Sequence, residues 1–306
     1  LAVSTAILTG ALIWATPAGA TFSIIACDQG RCGAAVATNN LAVGASVDYV
    51  QAGVGAVVTQ FETNPAMGPK GLALMASGRS PEAALQTLLR ENGTFDGEGM
   101  EARQVALVDA QGRTAAFTGK EALESGYAGD RQGPGYSVQG NGLAGAAVLT
   151  AMESTYRSAS GPLEDRLLAA LEAGQAAGGQ TIGKLSAALL VRVPDGFPQD
   201  LDFRVDASAQ PLPDLRALVE RHHAWQAVIR ADQAAHRGER ATAQAALAEA
   251  TRLAHDWDRV WRRAARVALA LGDDAAARDY LERMTAANPV WGRQEAADPL
   301  YRDLFR

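Results

Sequence analysis

Strand-like and helix-like segments in this chain alternate in pairs, and that order constrains the fold more tightly than composition does. Apolar runs of strand length fall at Thr21–Ala26, Gly33–Thr38 and Gly53–Gln60. They are largely apolar on both faces, as in a sheet covered on both sides. Two helices are predicted next, one over roughly Pro69–Ser77 and one opening at Ser80-Pro81-Glu82. The second carries a Ser N-cap, Pro at the first helical position and an early carboxylate, with Ala84, Leu85, Leu88 and Leu89 on one face. A hairpin of Val105–Asp109 with Thr114–Thr118, then a short strand at Tyr136–Gln139 ending in Gly140-Asn141-Gly142, forms another β-block. Helices over Ala146–Ser158 and Leu163–Ala177 follow, stopped by Gly178-Gly179. Strands at Leu185–Val193 and Leu201–Val205 close this part. A doubly wound parallel sheet needs strand and helix to alternate singly, so it is excluded. Two packed sheets, each covered by a helix pair, bury every apolar face, and an α+β fold arranged as a four-layer αββα sandwich is expected.

A second domain begins after Pro211-Leu212-Pro213, where helical periodicity runs almost unbroken to the end. Gly238 and Gly272 lie 34 positions apart in matching helix–turn–helix settings, the tetratricopeptide period. Ala243 then matches Ala277, Leu247 matches Leu281, and Pro289 closes the repeat after Asn288. Two degenerate repeats are expected, with 298–305 opening a truncated third helix. An ordinary pair of helical hairpins fits the same pattern. The domains are thus a leader over 1–20, a mixed domain over 21–213 and a small all-α helical-repeat domain over 214–306.

The leader reads as a secretory signal peptide. Leu1 to Ala15 is apolar without a charge, Pro17 and small residues close it, and Ala18 and Ala20 form an A-x-A cleavage site. The run is short for a membrane span and no basic stop-transfer residues follow. A periplasmic or secreted protein, free of the membrane after cleavage, is expected. Cleavage after Ala20 makes Thr21 the first residue. Its hydroxyl is then a nucleophile with a base on the same residue, since an α-amine has a pKa of about 7.7–8.0. Processing leaves some residue at every new terminus, so the leader alone does not make Thr21 catalytic.

Charge and composition remove several function classes. A formal net charge of −6 and a pI near 5.3 argue against a nucleic-acid surface. Charges are mixed along the chain, with no basic block for anionic lipid. His222, His223, His236 and His255 sit in no metal-ligand spacing, so neither a metal nor another cofactor is expected. Gly140, Gly142 and Gly145 fit a dinucleotide-binding pattern, but the βαβ unit it requires is absent. The two cysteines, Cys27 and Cys32, flank the turn residues Asp28-Gln29-Gly30-Arg31 between two expected strands. In an oxidising compartment they would staple the hairpin mouth; a reduced pair is the alternative.

Thr21–His223 resembles, in order, the blocks of the bacterial and archaeal family called domain of unknown function 1028. The matching residues include Thr21-Phe22-Ser23-Ile24-Ile25-Ala26, Leu41-Ala42-Val43-Gly44-Ala45, Ala52-Gly53-Val54-Gly55-Ala56-Val57-Val58-Thr59-Gln60 and Asn64-Pro65. They continue through Gly68-Pro69-Lys70-Gly71-Leu72, Arg103-Gln104-Val105, Ala116-Phe117-Thr118-Gly119 and Gly135-Tyr136-Ser137-Val138-Gln139-Gly140-Asn141. Leu171–Gly179, Ser186–Leu190 and Arg204-Val205-Asp206 complete the match. The resemblance implies membership of the N-terminal nucleophile (Ntn) hydrolase superfamily, an αββα sandwich and a catalytic Thr21, but no substrate. Gln180–Lys184 and Ala207–Pro211 depart from the family's usual composition.

Thr21 is therefore the expected nucleophile of acyl transfer on an amide, with its own amine as the base. The resulting oxyanion needs fixed donors. Gln139 and Asn141 offer two amides at a strand end. Thr59 and Gln60 end another core strand, and Thr38 and Asn39 end the strand paired with that of Thr21. Lys70 is a cation that could lower the amine pKa. The expected function is an exported N-terminal-threonine amidohydrolase acting on a small amide or peptide through an acyl-enzyme. The alternative is a catalytically silent scaffold whose helices bind an envelope protein or peptide. A homo-oligomer is compatible with either.

Overall fold

The structure is a computed structural model that describes residues 19–196 and 200–305. The expected signal peptide therefore lies, but for Gly19 and Ala20, outside the described residues. The chain divides into two compact units at Pro211/Leu212.

The first unit is mixed α/β with two antiparallel sheets. The larger comprises β1 (Thr21–Asp28), β2 (Arg31–Thr38), β7 (Tyr127–Gly133), β8 (Tyr136–Leu143), β9 (Ser186–Arg192) and β10 (Leu201–Val205). Its strand order is β10-β9-β2-β1-β8-β7. The smaller runs β3-β4-β5-β6, from Asp48–Gln51, Gly55–Phe61, Arg103–Asp109 and Thr114–Thr118. β1 is thus an interior strand, paired with β2 and β8, and seven of its eight residues are buried.

Side-chain alternation gives each strand two destinations. Phe22 faces helix α5 (Leu163–Ala176), where Gly174 is required: a Cβ there would sit 2.6 Å from Met152 of α4 (Ala146–Ser158). On the smaller sheet Val57, Val105 and Leu107 pack with Leu72, Leu85 and Leu88 of α1 (Met67–Ala76) and α2 (Pro81–Asn92). The Ser80 hydroxyl caps α2 as its sequence predicts, accepting from the Ala83 N–H at 3.3 Å. The opposite faces meet between the sheets. There Ile25, Ala34 and Val36 pack with Ala56, Val58, Ala106 and Val108, mostly small residues.

Cys27 and Cys32 are paired in register and form a disulfide across the β1–β2 hairpin. The turn residues Gln29 (φ 50) and Gly30 (φ 79) both adopt positive φ, which suits a tight turn between twisted strands.

Several elements differ from their sequence reading. β8 does not end at Gln139 but runs to Leu143, so Asn141 lies inside a strand opposite Thr21. Glycines at 140 and 142 suggest a break, yet pairing to β1 holds the backbone extended across Gly140. β3, β7 and the short helix α3 (Lys120–Glu124) were not expected. β7 is an edge strand, exposed and carrying Asp130, Arg131 and two glycines, so it has no apolar period to read. β4 starts at Gly55 rather than Gly53, whose φ of 69 belongs to the preceding turn.

The second unit is all helical: α6 (Pro211–His236), α7 (Arg240–Arg252), α8 (Asp258–Ala270), α9 (Asp274–Ala287) and α10 (Pro289–Ala296), then a 3-10 segment at Pro299–Phe305. Gly238 (φ 75) and Gly272 (φ 71) occupy the corresponding α6–α7 and α8–α9 turns. Alanines dominate the core, with Leu247, Trp261, Leu281 and Tyr301 among its larger members. Among the described residues no helix is long and apolar enough to cross a membrane.

Candidate functional site

Thr21 opens β1 at one end of the space between the sheets and is only 4 % exposed. Register places it opposite Thr38 on one side and Asn141 on the other. Its backbone N–H donates to Asn141 Oδ1 at 3.1 Å, and its Oγ1 lies 3.1 Å from Thr38 Oγ1. The Thr38 hydroxyl donates to the Ala20 carbonyl at 2.8 Å, and so takes up the oxygen of the peptide bond joining Ala20 to Thr21. Ala20 is itself buried, against Gly142, where a Cβ would approach Ala20 Cβ to 2.7 Å.

Behind Thr21 a row of amides bridges the two sheets. Asn141 Nδ2 donates to Gln104 Oε1 at 2.9 Å, and Gln60 Nε2 donates to the same oxygen at 2.7 Å. Gln60 Oε1 accepts from the Ser23 hydroxyl at 2.7 Å, and Gln60 Nε2 also faces the Thr21 carbonyl at 3.4 Å. Gln104 Nε2 donates to the Gly140 carbonyl at 2.9 Å and to Thr118 Oγ1 at 3.0 Å. The orientation is forced. A backbone N–H at Thr21 needs an acceptor, so Asn141 turns its oxygen there and its NH2 to Gln104, and each later amide must follow. Ser23, Thr38, Gln60, Gln104 and Asn141 are all essentially inaccessible. Such a network fixes its members, because breaking one bond strands a partner away from water.

This layer contains no titratable side chain. A buried carboxyl lies elsewhere, at Asp48 on β3, pushed up to about 7 mainly by burial and opposed by Arg204 and Arg192. Among the described residues no group of three or more His, Cys, Asp or Glu side chains could hold a metal ion.

The expected site residues separate. Thr21, Thr38, Gln60 and Asn141 come together. Gln139 shares their face but lies one pair further along, opposite Ser23, and neither atom of its buried amide has a partner among the described residues. Asn39 sits past the end of β2, half-buried, and its Oδ1 has no hydrogen-bond partner among the described residues. Thr59 points to the other face of its sheet, against Met67 Sδ at 3.9 Å, because it alternates with Gln60. Lys70 pairs with Glu91 at 2.7 Å on the α1–α2 surface and holds that carboxyl below its usual range. Asn141 also differs in use: its NH2 is engaged by Gln104, and its oxygen faces the nitrogen of Thr21. The sequence reading missed Gln104, Ser23 and Thr118 as members of the layer.

Residues 21–215 match the family of unknown function DUF1028, and the match begins at Thr21 itself. The chain belongs to the DUF1028 family. A crystal structure of a DUF1028 protein from Silicibacter pomeroyi is similar at 32% identity, with a TM-score of 0.59, covering 66% of this chain and 88% of that one. Comparison with curated proteins yields no match. The DUF1028 part holds all of the Thr21 layer, while most of the second unit lies beyond it.

Proposed function

We propose that this DUF1028 protein is an exported amidohydrolase of the Ntn superfamily, with a four-layer αββα domain and Thr21 as its terminal nucleophile. The observation that carries the reading is the setting of Thr21: first residue of an interior strand, its nitrogen held by Asn141 and its hydroxyl by Thr38. Once residues 1–20 are removed, that nitrogen is an amine, and Asn141 Oδ1 accepts one of its hydrogens, orienting the lone pair. The amine takes the Thr21 hydroxyl proton as Oγ1 attacks the amide carbonyl carbon. The tetrahedral intermediate expels the leaving amine with that proton, leaving an ester on Oγ1, and water then releases the acid. Loss of Ala20 also frees the Thr38 hydroxyl, which can donate to the oxyanion in place of the Ala20 carbonyl. The helices of the second unit, read as tetratricopeptide-like repeats, would supply a protein or peptide contact.

A second reading has its own support. Gln60, Gln104 and Asn141 satisfy one another, as a purely structural polar core does, so the first unit can also be a silent scaffold beside a binding module. Periplasmic protein processed to Thr21 separates the two. Incubated with small amides, N-acyl amino acids and cell-wall peptides, it should release an acid, and Thr21→Ala should release none. General-base assistance is worth about 10²–10⁴-fold, so retention of residues 1–20 should silence turnover to a similar degree. Equal turnover by wild type and Thr21→Ala would refute the hydrolase.

A further inference from the structure

The second unit carries a groove that the Thr21 reading does not use. Two adjoining cavities, of about 390 Å³ and 210 Å³, lie between α7 and α9 and share Ala248 and Tyr280 as walls. Together they fall within the usual range for ligand sites, about 300–1,000 Å³. Along both helices the residue numbers rise in the same direction, from Gln244 and Asp273 at one end to Arg252 and Arg283 at the other. The two helices therefore run parallel.

The ends carry opposite charge. Arg252, in the last turn of α7, has no hydrogen-bond or ion-pair partner among the described residues. Arg283 at the same end pairs with Asp279 at 2.9 Å and stacks over the Trp261 ring. At the other end Asp273 spends one oxygen capping α9, accepting from the Ala276 N–H at 3.0 Å, and has no cationic partner among the described residues. Trp261, 3 % exposed, lines the larger cavity, and its indole N–H has no acceptor among the described residues. A buried donor left in this way is costly, and a polar ligand is one remedy. Leu247, Ala268 and Leu271 make the smaller cavity apolar beside Asp273.

Length narrows the ligand. From Gln244 to Arg252 the groove follows eight residues of helix, about 12 Å at about 1.5 Å per residue. An extended peptide advances about 3.3–3.6 Å per residue, so three to four residues span it. We propose that the α7–α9 groove binds a short zwitterionic peptide of three to four residues, its carboxylate at Arg252 and its amine at Asp273. Small side chains suit it, since Ala248 forms the floor where the cavities join. The site stands whether or not the first unit hydrolyses amides.

Calorimetric titration of the full chain with trialanine tests this. Saturable binding is expected, weakened roughly two- to fivefold by amidating the carboxylate and likewise by acetylating the amine, as for exposed ion pairs. In Arg252→Ala the acid and its amide should bind equally. Ala248→Leu, an exposed helix substitution that fills the join, should abolish binding while leaving the melting temperature unchanged; Ala248→Met serves if the first variant folds poorly. No saturable binding at millimolar trialanine, equal affinity for acid and amide in the wild type, or undiminished binding by the Ala248 variant would each overturn the proposal.

Discussion

The two ends of the space between the sheets are packed by opposite means. Near the Cys27–Cys32 hairpin, Ile25, Ala34, Val36, Ala56, Val58, Ala106 and Val108 fill it with small apolar side chains. Near Thr21, on the same strands and facing the same way, Ser23, Thr38, Gln60 and Gln104, joined by Asn141 of β8, fill it with hydroxyls and amides. An apolar filling tolerates small changes in volume, whereas an amide layer is tightly coupled, since its buried members depend on one another for their hydrogen bonds. The same strands thus pass from an apolar filling to a hydrogen-bonded one along their length.

The largest effect should come from breaking the amide layer at its centre. Gln104→Leu strands Asn141 Nδ2, leaves Gln60 Nε2 only its 3.4 Å contact with the Thr21 carbonyl and takes a donor from the Gly140 carbonyl; at about 1–3 kcal/mol for a stranded group, urea denaturation should show a loss of several kcal/mol. At the apolar end Ile25→Val should cost only about 0.5–1.5 kcal/mol. Similar losses at the two ends would erase the contrast.

Asp48 offers a test by pH. Its folded pKa, about 7, lies above its ordinary value of 3.8, so the folded state holds the proton more tightly. Between these values the folded state binds more protons than the unfolded, and stability must fall as pH rises, by up to about 1.4 kcal/mol per unit. Below pH ~4 both states are protonated and the full stability is present. Asp48→Asn should flatten the curve from pH ~4 to ~7 and be the more stable form at pH 8. A slope unchanged by the substitution would show that another group carries it.

Reducing the Cys27–Cys32 disulfide, which closes a loop with a sequence separation of 5, should cost about 2 kcal/mol. Oxidised and reduced protein compared by denaturation, with thiols blocked, reads this directly. The smallest effect is expected at Gln139, which is buried like Gln104 but has an amide without partners. Gln139→Leu should be neutral or stabilising by about 1 kcal/mol, the reverse of Gln104→Leu. A loss as large as that of Gln104→Leu would mean that Gln139 is held by more than the described residues.

The same contrast explains what could be read from the sequence. The two β-blocks, the helix pairs and the helical second unit are legible because uniformly apolar strands and amphipathic helices leave distinct periods. Thr38, Gln60 and Asn141 are legible as polar residues near the ends of apolar strands. Gln104 stands between Arg103 and Val105 at the start of a strand, and nothing in its neighbours tells that it crosses to Asn141. Thr59 looks equivalent to Gln60, and only the strand's alternation, anchored by its register with β5, sends it to the other face. Lys70 sits in a matching block, but its ion pair with Glu91 depends on how α1 meets α2.

The central claim is that the amide layer exists to present Thr21 as a hydroxyl and an amine acting together. Intact mass and peptide mapping of protein processed after Ala20, treated with an epoxyketone or β-lactone that traps terminal threonines, tests it most directly. A single adduct on Thr21 is expected, absent from Thr21→Ala and from protein whose amine is acetylated, with all forms equally folded. Correctly processed, folded protein that takes up no adduct, or one whose adduct persists in Thr21→Ala, would contradict it.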